Sequence, residues 1–558
     1  MRTTFLYLII LLVLFSCSMN NSDSTSNNKI NYKENLRVYL SNNYNNLESN
    51  IEIHKITLSN VNLINHFYQE VKYNPIWIDD SLTLNNNGKI LIELLSSSYN
   101  YGLDTNNYHG IILNKISINL DKTKNDKKYS IASKLEILLT NSYFLIGKDL
   151  NYGIVDKDSS YLVSDIPRKE YKIDLPKLLL KSFKTDSVTN ILLSLQPQHK
   201  EYIKLQKNLK DYLKTASLSK EKIVVNNFRK DSIKAYKQSK KALILHNYLK
   251  RDETDSDYFR ALEKFQTQHG LKPDGLIGKN TAKALSKSPY SNYLKAIVSL
   301  EKWRWRNEWK DDYIFVNIPS FEMKLYQNSE FKKSLNVVVG KPSTFTPELN
   351  DQMEYVIVYP FWNLPFSISS KELLPKIKKD STYLQRNGYQ VFTKKHKPIK
   401  SENINWNNVT ASNFNYKIRQ KGGAGNSLGI IKFIFPNKNS IYFHDTPSKR
   451  FFKNEIRAYS HGCIRVQHPL KLVEIILDAD KNKYNIDSVH VYIISKEQKR
   501  ITLNTKIPVH IQYFTCGTDS NNNMVFYTDI YNLDKKLEEL MELNDYSNPE
   551  SIPEFVSK

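Results

Sequence analysis

The chain has 558 residues with 40% hydrophobic content, so it is long enough for three or four domains and apolar enough for genuine cores. Its formal net charge is +23, but lysine and asparagine are spread along the chain without a nucleic-acid-binding motif, which favours carboxylate-bearing polymers over nucleic acid as partners. The three cysteines lie far apart without Cys-x-x-Cys spacing. This excludes a disulfide framework and argues against a zinc site, and we expect no metal or other cofactor.

The first sixteen residues have the layout of an export signal. A basic Arg2 precedes an apolar run over 5–15, which is too short to span a bilayer comfortably. The run Leu14-Phe15-Ser16-Cys17 resembles a lipobox, so we expect a signal peptide over 1–16 and lipidation of Cys17. Residues 17–30 then form a Ser/Asn-rich tether. A plain secretory signal with an incidental Cys17 is the alternative, and no later segment is apolar enough to cross a membrane.

Residues 31–225 are rich in apolar residues at helical spacing. Leu135, Leu138 and Leu139 follow this pattern, and similar clusters recur at 178–180 and 191–193. We predict a mostly helical scaffold domain and identify no candidate catalytic residues in it.

Residues 226–290 predict a small domain of three helices. One helix should end at Gly270, a Pro-Asp-Gly turn should follow at 273–275, and another helix should start near Asn280. The pattern resembles small peptidoglycan-binding domains, which implies glycan strands as a partner. Such modules also serve as packing partners, and that alternative stays open.

From Tyr313 onward, β patterns dominate, and we assign residues 300–500 to one domain followed by a C-terminal extension over 501–558. The predicted strands are 314–318, 323–326, 335–339, 355–358, 430–435, 489–494 and 509–514. A polar segment over 366–425 interrupts them, with a predicted helix at Lys371–Leu384. Another helix is predicted at Pro469–Ala479.

One short stretch combines a cysteine with the histidines that could activate it as a nucleophile. His444 ends an alternating run that predicts a strand, and Ser460-His461-Gly462-Cys463 follows after a spacer of fifteen residues. A free thiol is only slightly ionised at neutral pH, so an imidazole must take its proton or lower its pKa. Cys463 is therefore the candidate nucleophile, whereas Cys516 is expected to be a small buried apolar residue.

The stretch from His444 to Arg465 resembles the signature of the L,D-transpeptidase family. Many members have Asn where this chain has Arg465, which points to the subfamily of large multi-domain murein L,D-transpeptidases with a peptidoglycan-binding domain. Further resemblances follow in the expected order at 301–306, 337–342, 363–365, 371–375, 386–389, 419–420, 426–429 and 433–437.

The resemblance implies a multi-domain α+β architecture. It combines a helical scaffold domain, a small three-helix peptidoglycan-binding domain and a β-sandwich catalytic domain. In this subfamily the insertion, here residues 366–425, is a capping subdomain over the active site, so we expect a mobile lid.

The resemblance also implies the chemistry. The family transfers an acyl group of a peptidoglycan stem peptide through a cysteine thioester, with Cys463 as nucleophile and His444 as general base and acid. His461 and Gly462 would supply oxyanion donors or support, together with the Cys463 amide. Ser460 would orient an imidazole. Acylation of Cys463 by carbapenems is a further implication.

Substrate contacts are assigned to Arg465, Asn426 and Trp362, with Arg465 suited to a bidentate contact with a carboxylate. A surface or ion-pair role for Arg465 is the alternative. Asp445 follows the base directly. Adjacent strand residues point to opposite faces, so we do not expect its side chain to contact the His444 ring.

The sequence thus predicts a peptidoglycan L,D-transpeptidase that forms 3-3 cross-links between donor and acceptor stem peptides in cell wall biogenesis. Its expected location is the periplasm, where Cys17 anchors it to a membrane, the outer membrane being favoured over the inner. One alternative is an L,D-carboxypeptidase or hydrolase that uses the same Cys/His site with water as acceptor. Another is a non-enzymatic peptidoglycan-binding lipoprotein.

Overall fold

The structure, a computed structural model, describes residues 32–41, 52–124, 127–185, 187–252 and 254–543. The expected signal peptide, the tether and the lipidation of Cys17 lie outside these ranges. Among the residues described, none of the helices combines the length and the apolar composition of a bilayer span.

The N-terminal part is helical, as the apolar spacing predicts. Its long helix α5 (Lys127–Tyr152) buries Leu135, Leu138 and Leu139 in a core shared with the surrounding helices. A two-residue hairpin, β1 (Glu52–Ile53) and β2 (Ile56–Thr57), packs beside them. The other helices are α1 (32–41), α2 (Val61–Glu70), α3 (Asn86–Ser96), α4 (Gly110–Lys122), α6 (Lys157–Ser160), α7 (Leu175–Lys184), α8 (Val188–Ser194) and α9 (Lys200–Leu213).

The next segment contains the three expected helices: α10 (Ser232–Leu245), α11 (Asp255–Gln268) and α12 (Lys279–Leu285). Gly270 adopts φ 63° just after α11, where a left-handed residue ends the helix without a Cβ clash. The loop before α12 and the start of α12 both reach the β domain, because the Lys272 main-chain N–H and the Asn280 amide donate to the Glu455 carboxylate, at 3.0 and 2.7 Å. The module is thus fixed to the segment between His444 and Cys463.

A buried charge cluster joins the helical part to the β domain. Helix α13 (Tyr290–Arg304) leads into it, and the Glu348 carboxylate accepts from Lys302 at 3.1 Å and from Arg306 at 3.0 Å. These side chains are 2–4% exposed. Because buried charges are tolerated only when they are paired, this cluster specifies how the two parts dock.

The β domain is built on a sheet that folds back on itself. Its strands run β13-β5-β14-β12-β11-β6-β15-β3-β4, and β4 also pairs with β5. Strand β5 makes the corner, since residues 330–336 pair with β4 and residues 337–338 pair with β14. The strands are β3 (Tyr313–Asn317), β4 (Glu322–Gln327), β5 (Glu330–Gly340), β6 (Leu349–Val358), β11 (Ile431–Ile434), β12 (Phe443–His444), β13 (Ala458–Ser460), β14 (Ile464–Val466) and β15 (Lys499–Gln512). The predicted α+β class is confirmed.

Two expectations for this domain are wrong. Residues 489–494 are not a strand but belong to helix α18 (Ile486–Ile494), which a capping box between Asn485 and Ser488 starts. The boundary expected at residue 500 cuts through β15, which pairs with both β3 and β6 and therefore belongs to the sheet. Helix α17 (Pro469–Ala479) has the bounds predicted for it.

The region that follows β15 packs on α13. A hairpin of β16 (Cys516–Thr518) and β17 (Met524–Phe526) precedes α19 (Leu533–Leu540), and Cys516 is fully buried there as expected.

The insertion between β6 and β11 is a subdomain with its own sheet and core. Its strands, in the order β7-β10-β8-β9, are β7 (Trp362–Asn363), β8 (Tyr389–Thr393), β9 (Pro398–Ile399) and β10 (Tyr416–Gln420). The single helix predicted at Lys371–Leu384 is instead a helical run interrupted near Asp380. It comprises α14 (Phe366–Ile368), a π-helical turn (Ser369–Leu373), α15 (Leu374–Lys379) and α16 (Tyr383–Arg386). Leu373, Ile377 and Trp406 are among the buried residues of its core.

Candidate active site

Strand pairing brings His444 and Cys463 to one face of the sheet. Strands β12 and β14 are parallel neighbours, with His444 opposite Arg465. Cys463 lies two residues before Arg465, and Tyr442 lies two residues before His444. Because side chains alternate along a strand, all four belong to the same face.

The His444 ring is fixed by a main-chain carbonyl. Its Nδ1 pairs with the Asp445 carbonyl oxygen, which can only accept, so Nδ1 carries the proton and Nε2 has the free lone pair. The Asp445 carboxylate turns away, as expected, and accepts from the Ile430 main-chain N–H at 3.0 Å and from Lys449. The group that orients the His444 imidazole is therefore a main-chain carbonyl, which no pattern of residue types could reveal.

His444 is held in its neutral form. The side chain is buried, and burial, followed by the positive charge of Arg465, lowers the pKa of His444 to about 3. At neutral pH the imidazole is thus unprotonated and able to accept a proton through Nε2.

The Cys463 thiol is half-buried and not disulfide-bonded. It lies 3.8 Å from the Ser440 carbonyl oxygen. Burial raises the pKa of Cys463, while hydrogen bonds from Tyr442 and the charges of Lys432 and Arg465 oppose that rise. The resting nucleophile is therefore a protonated thiol whose surroundings already contain groups that stabilise its thiolate.

Tyr442 is a further candidate functional residue, which the sequence motifs did not indicate. Its phenol lies near enough to the Cys463 thiol and the Trp362 indole for both to affect its pKa, and the Lys432 ammonium lies 3.7 Å from the centre of its ring. Burial, then the neighbouring thiol, raises the pKa of Tyr442, so the phenol keeps its proton. Its position two residues before His444 was the available signal, since that spacing places both side chains on one strand face.

Ser460 and Gly462 shape the turn that presents the nucleophile. The Gly462 N–H donates to the Ser460 hydroxyl at 3.2 Å, and its carbonyl accepts from the Thr346 hydroxyl at 2.7 Å. Gly462 has φ 113°, a conformation that L-residues rarely adopt. Two expectations need correction: Ser460 holds the turn rather than an imidazole, and the Gly462 N–H is already engaged and is not a free oxyanion donor.

His461 contacts the capping subdomain. Its side chain is 36% exposed, and its Nε2 lies 2.7 Å from the Glu372 carboxylate in the π-helical turn. The contact supports the turn from the cap side.

The expected substrate-contacting residues differ in their surroundings. Arg465 lies beside the thiol on the strand face, and its guanidinium is 5.9 Å from the Phe451 ring centre. Trp362 is half-buried and reaches the thiol through Tyr442. Asn426 is buried, and its amide donates to the main-chain carbonyls of residues 360 and 421, so it shapes its loop and is not available to substrate.

An oriented neutral imidazole and a half-buried thiol on the same face of paired strands define a candidate cysteine–histidine site on a closed β sheet. Residues 311–493 match the model of the L,D-transpeptidase catalytic domain, and residues 62–209 match the model of a scaffold domain. Residues 311–493 are therefore similar to an L,D-transpeptidase catalytic domain, and they follow a segment that is similar to a scaffold domain.

A Haemophilus influenzae protein, named provisionally as an L,D-transpeptidase, is 32% identical over 232 residues, which are 41% of this chain and 46% of that protein. The chain thus spans about half the length of this curated relative. A solved structure of an L,D-transpeptidase from Mycobacterium smegmatis is 11% identical, covering 36% of this chain and 58% of the other, with a TM-score of 0.16.

Proposed function

We propose that this protein is a peptidoglycan L,D-transpeptidase that forms 3-3 cross-links through a Cys463 thioester. The observation that carries the proposal is the pairing of β12 with β14, which sets the neutral His444 and the Cys463 thiol on one strand face. The Asp445 carbonyl directs the free Nε2 of the imidazole by holding Nδ1.

In the first half-reaction, the Cys463 sulfur attacks the carbonyl carbon of the third stem residue while its proton passes to His444 Nε2. The C–S bond forms, the amide C–N bond breaks, and His444 returns the proton to the departing amine of the terminal D-residue. Lys432, Arg465 and Tyr442 stabilise the negative charge that develops on sulfur during ionisation.

In the second half-reaction, a neutral side-chain amine of the acceptor stem attacks the thioester carbonyl. The new C–N bond forms as the C–S bond breaks, and the surplus amine proton passes through His444 to the thiolate, which regenerates both groups. Because the Gly462 N–H is engaged, the main-chain N–H of Cys463 is our candidate oxyanion donor. Water in place of the amine would give the hydrolase.

We further propose that the enzyme acts in the periplasm, with a lipid anchor on Cys17 and glycan strands bound by the module over 226–290. The resemblance of residues 14–17 to a lipobox supports the anchor. The net charge of +23 supports attraction to carboxylate-bearing wall polymers.

The proposal is tested by trapping the thioester. The soluble chain lacking residues 1–17 is mixed with disaccharide-tetrapeptide and quenched in acid, and the intact mass of the protein is then measured by mass spectrometry. We expect an adduct of the donor without its terminal D-residue, absent in Cys463→Ala and strongly reduced in His444→Ala. An adduct that persists in Cys463→Ala would refute the assignment of the nucleophile.

A further inference from the structure

The capping subdomain places a carboxylate beside the nucleophile turn. Glu372 Oε1 lies 2.7 Å from His461 Nε2, two residues before Cys463. The Glu372 side chain is 46% exposed, so the carboxylate can accept a further donor while it holds the imidazole.

Packing fixes the position of Glu372. The π-helical turn that carries it is anchored by Leu373 and Leu374, both buried in the cap core. The hydroxyl of Ser370 in this turn donates at 2.8 Å to the Phe366 carbonyl in the preceding helix α14. The carboxylate is therefore presented from a packed element and not from a free loop.

Charged groups lie on two sides of the turn that carries the thiol. On the strand face, Lys432 and Arg465 are positive, which suits the carboxylates of a donor peptide and opposes an approaching ammonium group. On the cap side, Glu372 supplies a negative charge next to His461. Of these two sides, only the cap side therefore favours the approach of a cationic acceptor.

We propose that Glu372, held by His461, is the binding site for the ammonium group of the acceptor. The inference rests on the proposed function and adds to it a location for the second substrate. The ammonium binds the carboxylate beside the thioester and releases one proton to water, and the neutral amine then attacks as described above. Glu372 thereby favours an amine over water in the second half-reaction.

The competing explanation is that the Glu372–His461 contact is a purely structural latch between the cap and the turn. Two variants distinguish the latch from an acceptor site. Glu372→Gln keeps a side-chain oxygen that can accept from His461 but removes the charge that binds an ammonium group. Glu372→Ala removes both. Glu402→Gln, an exposed change in the same subdomain, is the matched control because it alters the net charge equally.

The experiment uses the soluble chain with increasing disaccharide-tetrapeptide, measuring the thioester by intact mass and the ratio of dimer to tripeptide by chromatography. We expect Glu372→Gln to form the thioester at the parent rate, to lower the dimer-to-tripeptide ratio about tenfold and to raise the acceptor KM by a similar factor. Glu402→Gln should behave like the parent.

A parent-like ratio in Glu372→Gln combined with a low ratio in Glu372→Ala would overturn the proposal in favour of the latch. Failure of the parent itself to form a thioester would instead refute the proposed function, and the acceptor site with it.

Discussion

At the scale of single residues, the neutrality of His444 predicts the pH dependence of acylation. The imidazole is active when unprotonated, and its pKa is lowered to about 3 by burial and by Arg465. Activity should therefore persist as the pH falls through the ordinary histidine range. We expect the rate of thioester formation to stay level from about pH 7.5 to about pH 5, with no decline centred near 6.5.

The measurement is acylation by a carbapenem, followed by intact mass across this pH range, with tryptophan fluorescence confirming that the protein stays folded. A decline with a midpoint near the ordinary histidine pKa would contradict the neutral, buried state of His444.

Tyr442 provides a second prediction at this scale. The Tyr442 side chain opposes the rise that burial causes in the pKa of the Cys463 thiol, so Tyr442→Phe removes a hydroxyl that stabilises the thiolate as it forms. We expect carbapenem acylation to slow about tenfold, with little change in stability. Tyr459→Phe is the control, since Tyr459 pairs with Asn454 and Phe451. Equal rates in the two variants would remove Tyr442 from the reaction.

At the scale of elements, the turn between β13 and β14 depends on Gly462. An added Cβ there would lie 3.3 Å from Ile441 and 3.4 Å from the Phe345 carbonyl, and the residue has φ 113°. Gly462→Ala should cost about 1–3 kcal/mol of stability and misplace the thiol, which lowers acylation. Gly425→Ala, where the added Cβ meets nothing within 4 Å, should change neither property. Urea unfolding and intact mass provide the two readouts, and a parent-like Gly462→Ala would show that the turn tolerates a side chain.

The elements also show what the sequence could and could not predict. Helix α17 was predictable to the residue, because its apolar spacing and Pro469 mark a helix and its start. Helix α18 was mistaken for a strand, because the run of β-branched residues at 489–494 outweighed the weaker signal of its cap at Asn485. The sheet of the capping subdomain was missed because its strands are short and separated by polar turns.

Some residues of the candidate site could likewise be predicted from the sequence, and others could not. His444 and Cys463 could be predicted because their types and spacing carry the chemistry. The roles of the Asp445 carbonyl and of the Ser460 hydroxyl could not, because each follows from local backbone geometry that the residue type does not specify.

At the scale of the whole molecule, the buried pairing of Glu348 with Lys302 and Arg306 joins the helical part to the large β sheet. Glu348→Ala leaves two buried positive charges without their partner and should cost about 3–5 kcal/mol. Urea unfolding followed by tryptophan fluorescence measures this loss, since Trp303 and Trp305 lie at the junction. Glu330→Ala removes an exposed pair with Lys332 and should leave the midpoint unchanged. Equal urea-unfolding midpoints for Glu348→Ala and Glu330→Ala would show that the cluster does not stabilise the junction.

The same cluster has a signed pH dependence. Burial alone would raise the pKa of Glu348, but the charges of Lys302 and Arg306 outweigh it, and the net pKa is lowered. The stabilisation is therefore complete above the unfolded-state pKa of about 4.3 and is lost as the pH falls below it, through the folded-state pKa.

Product analysis tests directly whether Cys463 transfers an acyl group between stem peptides. The soluble parent and Cys463→Ala are each incubated with disaccharide-tetrapeptide, and the products are identified by mass spectrometry. We expect the parent to form dimers that have lost one terminal D-residue, and we expect no such dimers with Cys463→Ala. Tripeptide without dimer would contradict transpeptidation and indicate the hydrolase, and no turnover by the parent would contradict both activities.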